Sequence, residues 1–146
     1  MSEKQQDVLA ILKLYELRRD EALRQARAWY FTEFNPESAM EIVKLMMSGQ
    51  RQSAAYRMVT SYWDMAAAFV NNGGIDEELF LAANTEHIVV FAKIEPFISE
   101  VRELFGEPEY LQHLERLIRR IPNVDQILEN RRKLLSRWAK PTERAR

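Results

Sequence analysis

The 146-residue chain contains no cysteine. Disulfides and thiolate metal sites are therefore excluded, and the absence fits a reducing compartment. Only two histidines are present, His87 and His113. A zinc site would need both of them together with carboxylates. Glu109 and His113 stand one helical turn apart and make one candidate half-site. The Glu-x-x-His pattern of di-iron bundles does not occur. A Gly-rich phosphate loop, HExxH and GxSxG are also missing, so no cofactor, metal site or catalytic residue is expected from motifs. Ser53, Thr60 and Ser61 have no evident histidine base in sequence. No apolar run approaches the roughly 20 residues of a membrane span. The N-terminus lacks the basic-then-apolar pattern of an export signal, and the expected location is cytoplasmic.

Glycine and proline are scarce, at 4 and 5 residues, and the prolines fall where helices would begin or end. Val, Ile and Thr never gather into alternating runs. The one β-branched cluster, Ile88-Val89-Val90, is too short to define a strand. The expectation is a single all-α domain over residues 1–146, a bundle of six to eight helices, with 141–146 frayed. A chain of this length buries roughly 68–70% of its unfolded surface, enough for a core without covalent staples.

The bundle should be organised around residues 53–72. Tyr56, Val59, Trp63, Ala66, Ala67 and Val70 recur at three- and four-residue steps. Met58, Tyr62, Met65 and Phe69 widen that face until most of the circumference is apolar, which belongs inside a bundle. Gly73-Gly74 supplies a C-terminal stop. Asp76 then reads as an N-cap, with Glu77 and Glu78 facing the helix dipole and Ile75 and Phe80 as a hydrophobic staple. Asp64 is the one carboxylate inside the apolar helix. It needs a partner, and Arg57, Ser61 or Thr60 are the nearest in sequence. Asp64 and Arg57 are thus candidate buried polar residues, and Asp64 is the residue an enzymatic reading would use.

Before this helix, the spacing predicts one helix from about Gln5 to Arg18, with Val8, Ile11, Leu12, Leu14 and Tyr15 buried. A second runs from the cap Asp20 to about Phe34 through Leu23, Ala26, Arg27 and Tyr30. Asn35-Pro36-Glu37-Ser38 predicts a third helix, with Asn35 as cap and Pro36 at its first position. That helix carries Met40, Val43, Leu45, Met46 and Met47. After Asp76, a short helix reaches about Ala83 and Asn84 or Thr85 restarts the chain. A longer helix runs through Phe91 to Phe105, broken or kinked at Pro96. Pro108 predicts the next helix, ending at Ile121-Pro122-Asn123. The last carries Val124, Ile127, Leu128, Leu134, Leu135 and Trp138 and ends at Pro141.

Several segments resemble a family of small bacterial helical proteins of uncharacterised function. They are Leu14-Tyr15-Glu16, Tyr62-Trp63-Asp64, the corner from Asn72 to Phe80, Pro96-Phe97-Ile98 with Arg102, and Pro108-Glu109-Tyr110 leading to Leu114-Glu115. The resemblance covers about residues 8–121. Members of that family carry a glutamate near the place of Asp64 and a tryptophan near Phe91, and this chain differs at both. The resemblance implies a helical fold and supplies no reaction, cofactor or site residue.

The formal net charge of −1 hides an asymmetry. Residues 1–115 carry 11 basic and 19 acidic side chains, whereas residues 116–146 carry 10 basic and 3 acidic. Such division points to internal docking or to an interaction tail. Arg116, Arg119, Arg120, Arg131, Arg132, Lys133, Arg137 and Lys140 surround the apolar stripe of the last helix. The candidate interaction surface is Arg119, Arg120, Arg131, Arg132, Lys133, Arg137 and Trp138. It either docks on the acidic remainder of its own chain or a second copy, or binds an acidic protein, or binds nucleic acid or an anionic membrane surface. The chain as a whole is not basic and has no recognition-helix motif, which ranks nucleic acid lower. The expected function is a non-enzymatic interaction module that self-associates, as a homodimer, with the last helix in contact. Nucleic-acid or anionic-surface binding is the alternative, and an enzyme using Asp64 comes third.

Overall fold

A computed structural model describes residues 2–139. Among these the chain forms α1 (Glu3–Arg18), α2 (Glu21–Thr32), α3 (Ala39–Met47), α4 (Arg51–Asn71), α5 (Glu77–Ala83), α6 (Glu86–Ile94), α7 (Ile98–Phe105), α8 (Gln112–Arg119) and α9 (Val124–Ser136). Only a 3-10 turn over Glu95–Phe97 separates α6 from α7. That turn contains Pro96, so the predicted break falls where proline removes a helical donor. Counted as one broken helix, α6 and α7 bring the bundle to eight, within the expected range, and no strand occurs among the described residues. Lys140 and the expected stop at Pro141 lie outside them.

Helix α4 is the axis. Its predicted face, Tyr56, Val59, Trp63, Ala66, Ala67 and Val70, is buried throughout. Helices α2 and α8 pack most extensively against it, with α3, α5 and α6 also in contact. The alanines let neighbours approach closely. Met58, Met65 and Phe69 are partly exposed, so the apolar circumference is wider than the core needs. At the C-terminal end, Gly73 has φ +82°. Its N–H reaches Val70 O at 3.0 Å while Gly74 N–H reaches Phe69 O at 2.8 Å, the paired closing bonds of a Schellman motif. Asp76 then caps α5 by accepting from Leu79 N–H at 2.9 Å. Ile75 and Phe80 are both buried beside it, as a staple requires.

Three local expectations fail for identifiable reasons. Helix α3 starts at Ala39, not Pro36, because Ser38 is the cap, accepting from Glu41 N–H at 3.2 Å. Asn35 is engaged elsewhere: its Oδ1 accepts from Lys93 Nζ at 3.2 Å. Helix α8 starts at Gln112, not Pro108. Residues 107–111 form turns held by Arg102 Nε donating to Tyr110 O at 2.9 Å and by the 2.8 Å contact of the Tyr56 and Tyr110 hydroxyls. Leu111 closes that segment with φ +55°, which costs a non-glycine residue roughly 1–2 kcal/mol. Its burial helps offset this.

The third failure concerns α1. Leu14 is its one buried residue. The helix contacts the bundle through Asp7, Ala10, Ile11, Leu14 and Arg18, none of which is exposed. Ile11 and Leu14 of the predicted face lie on it, whereas Val8, Leu12 and Tyr15 do not. Tyr62 donates its hydroxyl proton to Leu14 O, and Asp7 accepts from Asp76 N–H at 2.9 Å. These polar attachments, together with Leu14, fix the rotation. Val8, Leu9, Leu12 and Tyr15 are left 41% to 55% exposed.

Candidate functional site

Asp64 and Arg57 do not form a pair. Arg57 is exposed, and its Nε donates to Ser53 O at 3.3 Å on its own helix. It is therefore not a buried polar residue: it lies on the solvent side of α4. Asp64 is half-buried. Its Oδ1 accepts from Leu114 N–H at 2.9 Å, near the start of α8, where four backbone donors lack helical partners. Asp64 is thus a capping carboxylate supplied by a neighbouring helix. Thr60, offered as a partner for it, instead donates its hydroxyl to Tyr56 O at 2.9 Å.

The basic C-terminal segment is largely paired within the chain. Arg119 Nη2 lies 3.1 Å from Glu95 and Nη1 lies 3.1 Å from Asp125. Arg120 Nη2 lies 2.7 Å from Glu77 and donates to Asn71 Oδ1 at 2.6 Å. Arg132 donates to Ala92 O at 3.0 Å and lies 3.5 Å from Glu95. The acidic and basic parts of the sequence therefore meet along the α8–α9 side. Arg131 is half-buried, Lys133 is exposed beside Glu129, and Arg137 and Trp138 are exposed. Helix α9 packs on α6 through Leu128 and Leu135, while Leu134 turns outward.

Three polar side chains on α6, Glu86, Lys93 and His87, take roles that the sequence reading did not assign them. Glu86 accepts from Arg27 Nε at 2.9 Å and Nη2 at 2.5 Å, and from Trp63 Nε1 at 3.0 Å, with Arg18 at 4.0 Å. Donating to the Glu86 carboxylate raises the Arg27 pKa. Four helices, α1, α2, α4 and α6, thus meet on one carboxylate. Lys93 is buried and donates from Nζ to Phe34 O at 2.7 Å, Tyr30 O at 2.8 Å and Phe31 O at 3.3 Å. It satisfies the carbonyls that the end of α2 leaves free. Burial pushes its pKa down to about 8. His87 lies between Trp63 and Phe80, with ring centroids at 5.7 and 5.3 Å. It is fully buried, and neither ring nitrogen has a hydrogen-bond partner. Burial and the charge of Arg131 push its pKa down to about 4. The available signal was that Lys93 and His87 interrupt an otherwise apolar helix.

Glu109 lies in the turn before α8, so the helical spacing expected of a Glu109–His113 half-site is not realised, and no group of three or more His, Asp or Glu among the described residues is placed to hold a metal. No described helix is long and apolar enough to cross a membrane.

These features define an all-α domain whose polar side chains mainly join helix ends to one another. Residues 5–121 match the family described as Domain of unknown function (DUF4760), and the chain belongs to that family. The match runs from α1 to the end of α8, so the basic helix α9 follows the matched span. No curated protein and no solved structure matches the chain.

Proposed function

We propose that the protein is a self-associating helical interaction module whose contact face is α1, not the C-terminal helix. The observation that supports this reading is the stripe of Val8, Leu9, Leu12 and Tyr15, all exposed on one flank of α1. Apolar patches of this kind rarely stay open on a monomer. A second copy is the occupant the sequence favours. Two α1 helices paired antiparallel about the middle of the stripe set Val8 of one against Leu12 of the other. The same pairing brings Lys4 opposite Glu16 of the second copy and opposes the two helix dipoles. The C-terminal arginines are less suited to binding nucleic acid, because Arg119, Arg120 and Arg132 are engaged by carboxylates of their own chain.

The test is the mass of the full chain in solution, by light scattering on a sizing column, for wild type and Leu12→Glu. Leu12 is exposed, so the variant keeps its fold, which circular dichroism verifies. A wild-type dimer converted to a folded monomer supports the reading. A monomeric wild type at micromolar concentration, or a dimer indifferent to the substitution, overturns it.

A further inference from the structure

At the corner between α1 and α2 the chain forms an open cavity of about 440 Å³ lined by Tyr15, Arg18, Arg19, Arg24 and Arg27. Its size lies in the range of small-molecule sites. Four guanidinium groups share it. The carboxylate that answers them is Glu86, bound to Arg27 and near Arg18. The other acids of the corner are occupied or exposed: Glu16 pairs with Lys13, Asp20 accepts from Ala22 N–H, and Glu21 accepts from Gln25. Arg19 and Arg24 have no carboxylate within ion-pair distance among the described residues. The wall of the cavity itself thus carries four guanidinium groups and no carboxylate, an arrangement that favours an anion inside it.

Two of the arginines are fixed in advance. Arg18 lies over the rings of Tyr15 and Trp63, at 5.3 and 5.2 Å, and its buried Nε has no partner. Arg27 is held by the two-point bond to Glu86. Such anchored guanidiniums lose little freedom on binding, and their planar forks match phosphate oxygens in pairs. Arg19, near the Tyr15 ring at 6.0 Å, and Arg24 are exposed and free to close over an occupant. We propose that this pocket binds a small phosphate-bearing anion, with Arg18 and Arg27 as the fixed wall and Arg19 and Arg24 as the closing donors. A single carboxylate would leave much of the wall's positive charge unanswered, whereas a multiply charged phosphate or pyrophosphate group matches it.

The experiment is calorimetric titration of the full chain with inorganic phosphate and with pyrophosphate, at constant ionic strength in chloride. The double variant Arg19→Gln/Arg24→Gln removes the closing donors, whose side chains hold no hydrogen bond or ion pair among the described residues. Arg116→Gln/Arg137→Gln makes the same change in net charge elsewhere. The expected result is saturable one-site binding of pyrophosphate, weakened at least about tenfold by the first variant and unchanged by the second. Absence of saturable binding overturns the proposal, as does equal weakening by both variants, which marks general charge attraction. A sedimentation arm uses vesicles of phosphatidylcholine doped with phosphatidic acid. Binding to those vesicles without binding of free pyrophosphate also overturns it, because the ligand is then a membrane surface.

Discussion

Acidification should destabilise this protein through His87 before most of its carboxylates protonate. The imidazole is sealed between Trp63 and Phe80, with Arg131 adding an unfavourable charge. Its pKa falls from 6.5 in the unfolded chain to about 4 in the fold. Between those values the unfolded chain binds a proton that the folded chain refuses, so stability rises with pH in that window. The contribution is fully present above about pH 6.5 and is lost as pH falls toward 4. An interval of roughly 2.5 pH units at 1.36 kcal/mol each amounts to about 3 kcal/mol. Against a domain stability of about 5–15 kcal/mol this is a large share.

The assay is urea unfolding of wild type and His87→Leu at half-unit steps from pH 7.5 to 4. Carboxylate titration acts on both chains, so the difference between their profiles isolates His87. At pH 7 the variant should be at least as stable as wild type, because both ring nitrogens lie buried without partners and an unsatisfied buried polar group costs about 1–3 kcal/mol. Its advantage should then grow by about 3 kcal/mol toward pH 4. Parallel profiles between pH 6.5 and 4.5 would refute the reasoning, since the site would then titrate alike in both states.

Four further outcomes follow from the same packing. Trp63→Ala should cost about 3–5 kcal/mol in unfolding free energy, and an unchanged melt would remove α4 as the axis of the fold. Asp64→Ala should cost about 1 kcal/mol by chemical denaturation, whereas Asp64→Asn should cost less, because the amide oxygen still accepts from Leu114 N–H; equal losses would mean that charge, not capping, is what Asp64 supplies. Glu86→Gln should cost about 3 kcal/mol, since Arg18 and Arg27 lose their counter-charge, and the indole N–H of Trp63 should shift in NMR spectra. Lys93 has a folded pKa near 8 against 10.5 unfolded. Its contribution therefore rises between pH 8 and 10, and Lys93→Met should flatten that rise in thermal melts below the range where tyrosines ionise.

The axis of the fold was legible because α4 states its role locally. Its apolar spacing, its two terminal glycines and the Asp76 cap all act within a few residues, and each agrees with the next. The break at Pro96 was legible for the same reason. The rotation of α1 was not. Its sequence offers one apolar face over Val8, Leu12 and Tyr15 and another over Ala10, Ile11 and Leu14, and hydrophobicity alone does not choose between them. The choice is made by Asp7 reaching Asp76 N–H and by Tyr62 reaching Leu14 O, contacts 69 and 48 residues apart in sequence. The start of α3 was misplaced by a similar long-range competitor, the Lys93 ammonium taking the side chain of Asn35.

The same distinction governs the charges. A run of arginines in one segment is visible from sequence, so the C-terminal helices drew attention as a binding surface. Asp125 and Glu115 lie near Arg119 in sequence, but the remaining carboxylate partners, Glu77 of α5 and Glu95 of the turn before α7, are brought near only by folding. The cationic groups left over are the ones that looked ordinary. Arg18, Arg19, Arg24 and Arg27 sit among nearby acids in sequence, yet Asp20 and Glu21 turn to the backbone and to Gln25. Residues spaced among acids in the chain thus gather as four guanidinium groups around one cavity, while Arg119, Arg120 and Arg132 of the C-terminal run are met by carboxylates.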